Sequence, residues 1–110
     1  TRLQGIGAPA FLSVLKRFGP ANDSPLSFPM RGWTLALDVA ATLPGLADTL
    51  DDLDAIVLGA GGRFYLAKDS RATAETIAAG YPRLAEFQAI RESVDPTLLF
   101  RSDLSRRLGL

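Results

Sequence analysis

Three side chains could carry chemistry in this sequence: Lys16, Tyr65 and Lys68. The 110 residues include no histidine and no cysteine. A zinc-thiolate or imidazole metal site, a disulfide, a cysteine nucleophile and a Ser-His-Asp triad are therefore all excluded within this chain. Acid–base work falls to Asp, Glu, Lys or Tyr. Lysine is scarce, since ten of the 12 basic residues are arginine. Lys16 lies beside Phe18 in an alternating apolar run, where a lysine stem packs and its ammonium reaches water unless a ligand claims it. Tyr65 and Lys68 stand where the run Arg63–Ala67 ends and the chain turns, a place that ligand sites favour.

Two other clusters are set aside on spacing. Gly59, Gly61 and Gly62 suggest a phosphate loop, but a dinucleotide fingerprint follows a strand and opens a helix. Here the glycines close a helical pattern and precede an apolar run. Asp48, Asp51, Asp52 and Asp54 lack the alternating ligands, central glycine and late glutamate of a calcium loop. They read as a solvated acidic helix face, and no metal site is expected.

The elements that must position these residues follow from periodicity. Residues 10–18 alternate as a strand, with Phe11, Ser13, Leu15 and Arg17 on one face and Leu12, Val14, Lys16 and Phe18 on the other. Residues 19–25 are dense in turn formers, and Leu26–Met30 reads as a short extended piece. A second strand, 33–39, has a bulky face of Trp33, Leu35, Leu37 and Val39. Its other face carries Thr34, Ala36 and Asp38. Leu46, Leu50, Leu53 and Val57 fall on a helical stripe that begins after Pro44 and ends at the glycines. Arg63–Ala67 is predicted as a short strand. Helices follow over 73–79 and from Pro82 to before Asp95, with Leu84, Phe87 and Ile90/Arg91 marking the faces of the second. A short helix or turn follows Ser102-Asp103. This order predicts an α+β fold, half of a ferredoxin-like sandwich with an antiparallel sheet and a helix on one face, followed by a helical C-terminal segment.

Composition narrows the class. Hydrophobic residues are 47% and charged residues 22%, as in one globular domain with a modest core. The net charge is zero, with basic residues slightly concentrated after residue 62, so no nucleic-acid or anionic-membrane footprint is expected. No apolar run approaches the ~20 residues of a membrane helix. The opening residues show no signal-peptide pattern and no initiating methionine, so a trimmed chain or a piece of a longer one is expected.

Two stretches carry a family resemblance. Phe11-Leu-Ser-Val-Leu-Lys16-Arg-Phe-Gly-Pro20-Ala-Asn22, with Ser24–Pro29 and Gly32-Trp33, resembles the decaprenylphosphoryl-β-D-ribose 2′-oxidase-like FAD-linked oxidases. So does Gly61-Gly62-Arg63-Phe-Tyr65-Leu-Ala-Lys68-Asp69-Ser70. The C-terminal outline is similar to the wider vanillyl-alcohol-oxidase-type superfamily: Tyr81-Pro82-Arg83, Phe87, Arg91, Asp95-Pro96, Phe100-Arg-Ser-Asp103-Leu and Arg106-Arg107-Leu. Aldonolactone oxidases share that outline.

The resemblance implies the C-terminal portion of such an enzyme. Residues 1–62 would complete a substrate domain, and 63–110 would pack on an upstream FAD domain of the same chain. It implies oxidation of a secondary sugar hydroxyl with hydride transfer to FAD, in the cytoplasm or peripheral to the inner membrane, on a substrate that could be linked to a lipid phosphate. Tyr65 and Lys68 would lie beside the isoalloxazine, with Lys68 catalytic. Lys16, Phe18, Thr34 and Ala36 would line the substrate pocket. The family carries Asn and Cys where this chain has Thr34 and Ala36, which removes an amide and a thiol from that pocket. The isolated segment is expected to be inactive, to hold FAD weakly and to self-associate through exposed apolar surface. An aldonolactone or polyol oxidase of the same superfamily and a non-catalytic ferredoxin-like binding or dimerisation module are the alternatives.

Overall fold

The two alternating runs form an antiparallel pair, β1 (Leu12–Phe18) and β2 (Gly32–Asp38). The computed structural model describes residues 2–7 and 9–110; Thr1 and Ala8 lie outside them. Register runs from Leu12 opposite Asp38 to Phe18 opposite Gly32. Directly paired residues share a face. Lys16 with Thr34 and Val14 with Ala36 therefore lie on one side, together with Phe18. Leu15 with Leu35 and Arg17 with Trp33 lie on the other. That second face is apolar and open: Leu15, Trp33 and Leu35 are 63%, 67% and 59% exposed. The Arg17 guanidinium sits over the Trp33 ring, 5.9 Å from its centroid. The extended piece at Leu26–Met30 pairs with neither strand; the chain turns at Pro25-Leu26, and Ser27 N–H donates to Ser24 O at 3.1 Å.

A four-residue helix, α1 (Arg2–Gly5), precedes the sheet, and α2 (Leu46–Gly59) follows it. Leu46 is buried, and Leu50, Leu53 and Val57 are half-buried, so the predicted stripe is the inward face. Its helix neighbours are α1 and α3 (Ala74–Gly80). The glycines end it as expected. Gly61 takes the left-handed conformation at φ 72°, its N–H donates to Leu58 O, and Gly62 N–H donates to Val57 O at 2.8 Å. A Cβ on Gly62 would lie 2.8 Å from Val57 Cγ1, so the close return of the chain needs glycine there. The acidic face of α2 is not simply solvated: Arg71 pairs with Asp51 and Asp54, and Arg2 pairs with Asp52.

Arg63–Ala67 is not a strand. The chain runs irregularly through Arg63–Tyr65 and closes a 3-10 helix, Leu66–Lys68. Alternation alone cannot make a strand where no neighbour offers a ladder. Here the main chain bonds to a side chain instead, through the Tyr81 hydroxyl to Phe64 O.

Three helices complete the chain: α3, α4 (Leu84–Val94) and α5 (Asp103–Leu108). Thr73 caps α3 by accepting from Thr76 N–H, and Ser102 and Ser105 form a reciprocal capping box on α5. On α4, Leu84 is buried, Phe87 and Arg91 are half-buried, and Ile90 faces outward. Tyr81, Ile77 and Leu108 are fully buried and, with Ala72 and Leu84, make the core. Leu26, Phe64, Leu66, Phe87, Leu104 and Leu110 pack around it. The core thus belongs to the C-terminal half, with the loop before β2 folded onto it.

Ile77→Ala is expected to destabilise the fold by about 2–5 kcal/mol, because a fully enclosed side chain leaves a cavity. Leu35→Ala on the open sheet face is expected to change stability by no more than about 0.5 kcal/mol. Urea unfolding midpoints at unchanged slope measure both.

Candidate functional site

The 3-10 helix sets the relation of Tyr65 to Lys68. Lys68 N–H donates to Tyr65 O at 3.1 Å, and Asp69 N–H donates to Leu66 O at 3.2 Å. Tyr65 is the extended residue that precedes the 3-10 helix, at φ −81° and ψ 103°, and Lys68 is the helix's last residue. Tyr65 is half-exposed, and Lys68 is exposed and makes no ion pair among the described residues.

Both ends of the turn are tied down. Before it, the buried Tyr81 hydroxyl donates to Phe64 O at 2.5 Å. Arg63 lies over the Tyr81 ring at 5.4 Å and donates through Nη1 to Ser27 O at 2.8 Å. Burial pushes the Tyr81 phenol up, and the nearby Arg63 charge opposes this only in part. The hydroxyl therefore stays protonated and donating at neutral pH.

After the turn, Asp69 holds the next loop. One carboxylate oxygen accepts from Ala72 N–H at 2.9 Å and Arg71 N–H at 3.3 Å, and the other accepts from Arg107 Nη2 at 2.7 Å. Arg107 Nη1 also donates to Ala72 O. The Asp69 side chain is only 7% exposed. Burial by itself would raise its pKa. The Ala72 amide, the Arg107 guanidinium and the Arg71 amide outweigh burial and hold it below the usual carboxylate value.

The sheet reaches this turn through aromatic rings. The Phe18 and Phe28 rings meet edge to face at 5.7 Å, and the Phe28 and Tyr65 rings at 5.1 Å. Lys16, Phe18, Thr34 and Ala36 occupy one sheet face, and Phe28 links its Phe18 end to Tyr65. Lys16 is exposed and, like Lys68, makes no ion pair among the described residues. Beside Phe18 a shallow hollow is lined by Arg17, Gly19 and Arg31. A larger open cleft of about 450 Å³ lies elsewhere, between α4 and α5, and includes none of the six candidate residues.

Phe28, Tyr81, Arg107 and Asp69 are the residues that sequence reasoning did not single out as part of the site. Phe28 sits in a loop with no periodicity to flag it. The partners Tyr81 and Phe64 are 17 residues apart, and Arg107 and Asp69 are 38 apart. No local spacing rule spans such distances. Each of the four lies within a stretch that carries the family resemblance, and that was the one available signal.

The candidate site is thus an antiparallel strand pair joined by edge-to-face and tilted ring contacts to a clamped Tyr-to-Lys turn. The family model for D-arabinono-1,4-lactone oxidase matches residues 14–108. The chain belongs to that family. Among its relatives, decaprenylphosphoryl-beta-D-ribose oxidase of Mycolicibacterium smegmatis is 51% identical over 108 residues, covering 98% of this chain and 23% of that protein. An uncharacterized protein in the mprA 5′ region of Streptomyces coelicolor is 52% identical over 97 residues, covering 88% of this chain and 26% of its own length. The chain thus spans about a quarter of the length of these relatives. Among the described residues no helix is long and apolar enough to cross a membrane.

The Asp69 bonds carry a pH signature. A carboxylate held below its usual value of 3.8 stabilises the fold fully above that pH. The contribution is lost as pH falls through the lower folded value. Asp69→Asn is expected to lower the urea midpoint at pH 7. It should also flatten the loss of stability between about pH 5 and pH 2. Parallel pH titrations of the two unfolding midpoints check this.

Proposed function

We propose that this chain is the C-terminal part of an FAD-linked oxidoreductase that oxidises a secondary hydroxyl of a ribose-type sugar carried on a lipid phosphate. The observation that carries the reading is the clamped turn, whose backbone bears the half-exposed Tyr65 at its start and, at its end, an exposed Lys68 that makes no ion pair among the described residues. Family membership and the similarity to decaprenylphosphoryl-beta-D-ribose oxidase of Mycolicibacterium smegmatis support it. Residues 1–62 would complete the substrate domain, and residues 63–110 would return to the FAD domain.

An exposed aromatic residue and an exposed cation three residues apart on one turn suit the edge of a planar, electron-accepting ring. When bound, the flavin supplies the acceptor for the hydride that leaves the sugar carbon. Lys68 Nζ places a fixed positive charge where negative charge develops. Tyr65 orders the ring edge and shares its packing with Phe28. Lys16 binds a phosphate or sugar oxygen, and Phe18 forms the apolar wall. Thr34 and Ala36 leave a smaller, less polar surface than the Asn and Cys of the resembled family. The proposed location is the cytoplasm or the periphery of the inner membrane, as for the resembled oxidases. The isolated segment, with the Leu15, Trp33 and Leu35 face open, self-associates.

The family's own name favours a second reading, an aldonolactone or polyol oxidase, which keeps the flavin and changes the substrate. Turnover of ribosyl phosphates against aldonolactones and polyols by the full-length protein separates the two.

In the full-length protein, Lys68→Ala is expected to slow anaerobic flavin reduction by about 100-fold or more. Unchanged stopped-flow reduction would remove Lys68 from the site. The isolated segment is expected to purify colourless, and a stable oxidised-flavin absorption band would contradict that.

A further inference from the structure

We infer that Arg107 is a positioning residue for Lys68, acting through Asp69 to fix the lysine ammonium at the flavin edge; this rests on the reading of Lys68 given above. Asp69 directly follows Lys68, so whatever holds Asp69 sets where the 3-10 turn ends. Arg107 bonds to two points of the 69–72 loop, the Asp69 carboxylate and Ala72 O. Asp69 itself bonds back to the Ala72 and Arg71 amides. The result is a closed ring of hydrogen bonds around the loop.

The guanidinium suits this role. It is planar and always charged, and it presents two donors in a fixed fork. An ammonium could satisfy the carboxylate or the carbonyl but would not hold both in one plane.

Arg107 also stands on a fixed base. Its neighbour Leu108 is 1% exposed in the core, and the Ser102–Ser105 box caps its helix. The Gly109 carbonyl, past the helix end, accepts from Gln88 Nε2 of α4 at 2.6 Å. The other arginine at this loop, Arg71, reaches out to Asp51 and Asp54 on α2. Those pairs tie the loop to α2, whereas Arg107 bonds to Asp69 itself, the residue next to Lys68. The Lys68 end of the turn is thus held directly from α5.

The test uses the full-length flavoprotein and the variants Arg107→Ala, Arg107→Lys and Asp69→Asn. The first readout is the acylation rate of Lys68 Nζ, followed by mass spectrometry, with Lys16 in the same molecule as the internal control. The second is the visible absorption band of bound FAD, and the third is the rate of anaerobic flavin reduction. In Arg107→Ala the Lys68 rate is expected to change by about threefold or more while the Lys16 rate holds. The flavin band should shift, and reduction should slow by about ten- to 100-fold. Arg107→Lys is expected to recover part of each effect. Asp69→Asn, which keeps the shape of the side chain, should reproduce the Lys68-selective change even if Arg107→Ala fails to fold. Unchanged Lys68 acylation and an unshifted flavin band in folded Arg107→Ala or Asp69→Asn overturn the inference alone. Unchanged flavin reduction in Lys68→Ala overturns the reading of Lys68 and the inference built on it.

Discussion

The fold hangs on one buried hydroxyl. Tyr81 is 1% exposed, its ring fills the centre of the C-terminal core, and its oxygen satisfies the Phe64 carbonyl. Such a bond adds only about 1 kcal/mol net, but leaving the carbonyl unsatisfied would cost about 1–3 kcal/mol. The chain therefore reaches Tyr65 from a fixed point. Arg63 adds to this by lying against the same ring and by bonding to Ser27 O in the loop before β2. A single side chain thus organises the core, the approach to the turn and the seat of that loop.

Electrostatics divides along the same line. The pairs of Arg2 with Asp52 and Arg106 with Asp103 are exposed on both sides and contribute little. The Asp69–Arg107 pair differs, because its carboxylate is nearly out of solvent and accepts three hydrogen bonds. Removing Arg107 takes one of three donors from a carboxylate that is only 7% exposed, so the pair holds the loop's geometry.

Much of the secondary structure was legible because its signals are local. The alternation in 10–18 and 33–39 became β1 and β2 with the predicted faces, and the stripe from Leu46 to Val57 became the inner side of α2. The glycines closed that helix as their conformational freedom requires. The one clear error, a strand at Arg63–Ala67, has a physical cause. A strand needs a partner, and period-2 alternation carries no information about whether one is near. The acidic face of α2 is largely exposed as expected, but its pairing with Arg71 was not legible, since that arginine arrives from a distant loop. At the candidate site the lysines were visible as rare types in motif-bearing runs. Their supports, Phe28, Tyr81 and Arg107, were not, because each acts across a long stretch of sequence.

The Phe18–Phe28–Tyr65 ring contacts have a mechanical consequence. Edge-to-face and tilted rings keep most of their attraction over a range of separations and offsets, whereas a forked guanidinium bond fails when its plane is lost. The ring contacts at Phe28 therefore tolerate a change of spacing that the Asp69–Arg107 bonds do not. Compliance is thus placed between the two groups of candidate residues rather than within either one.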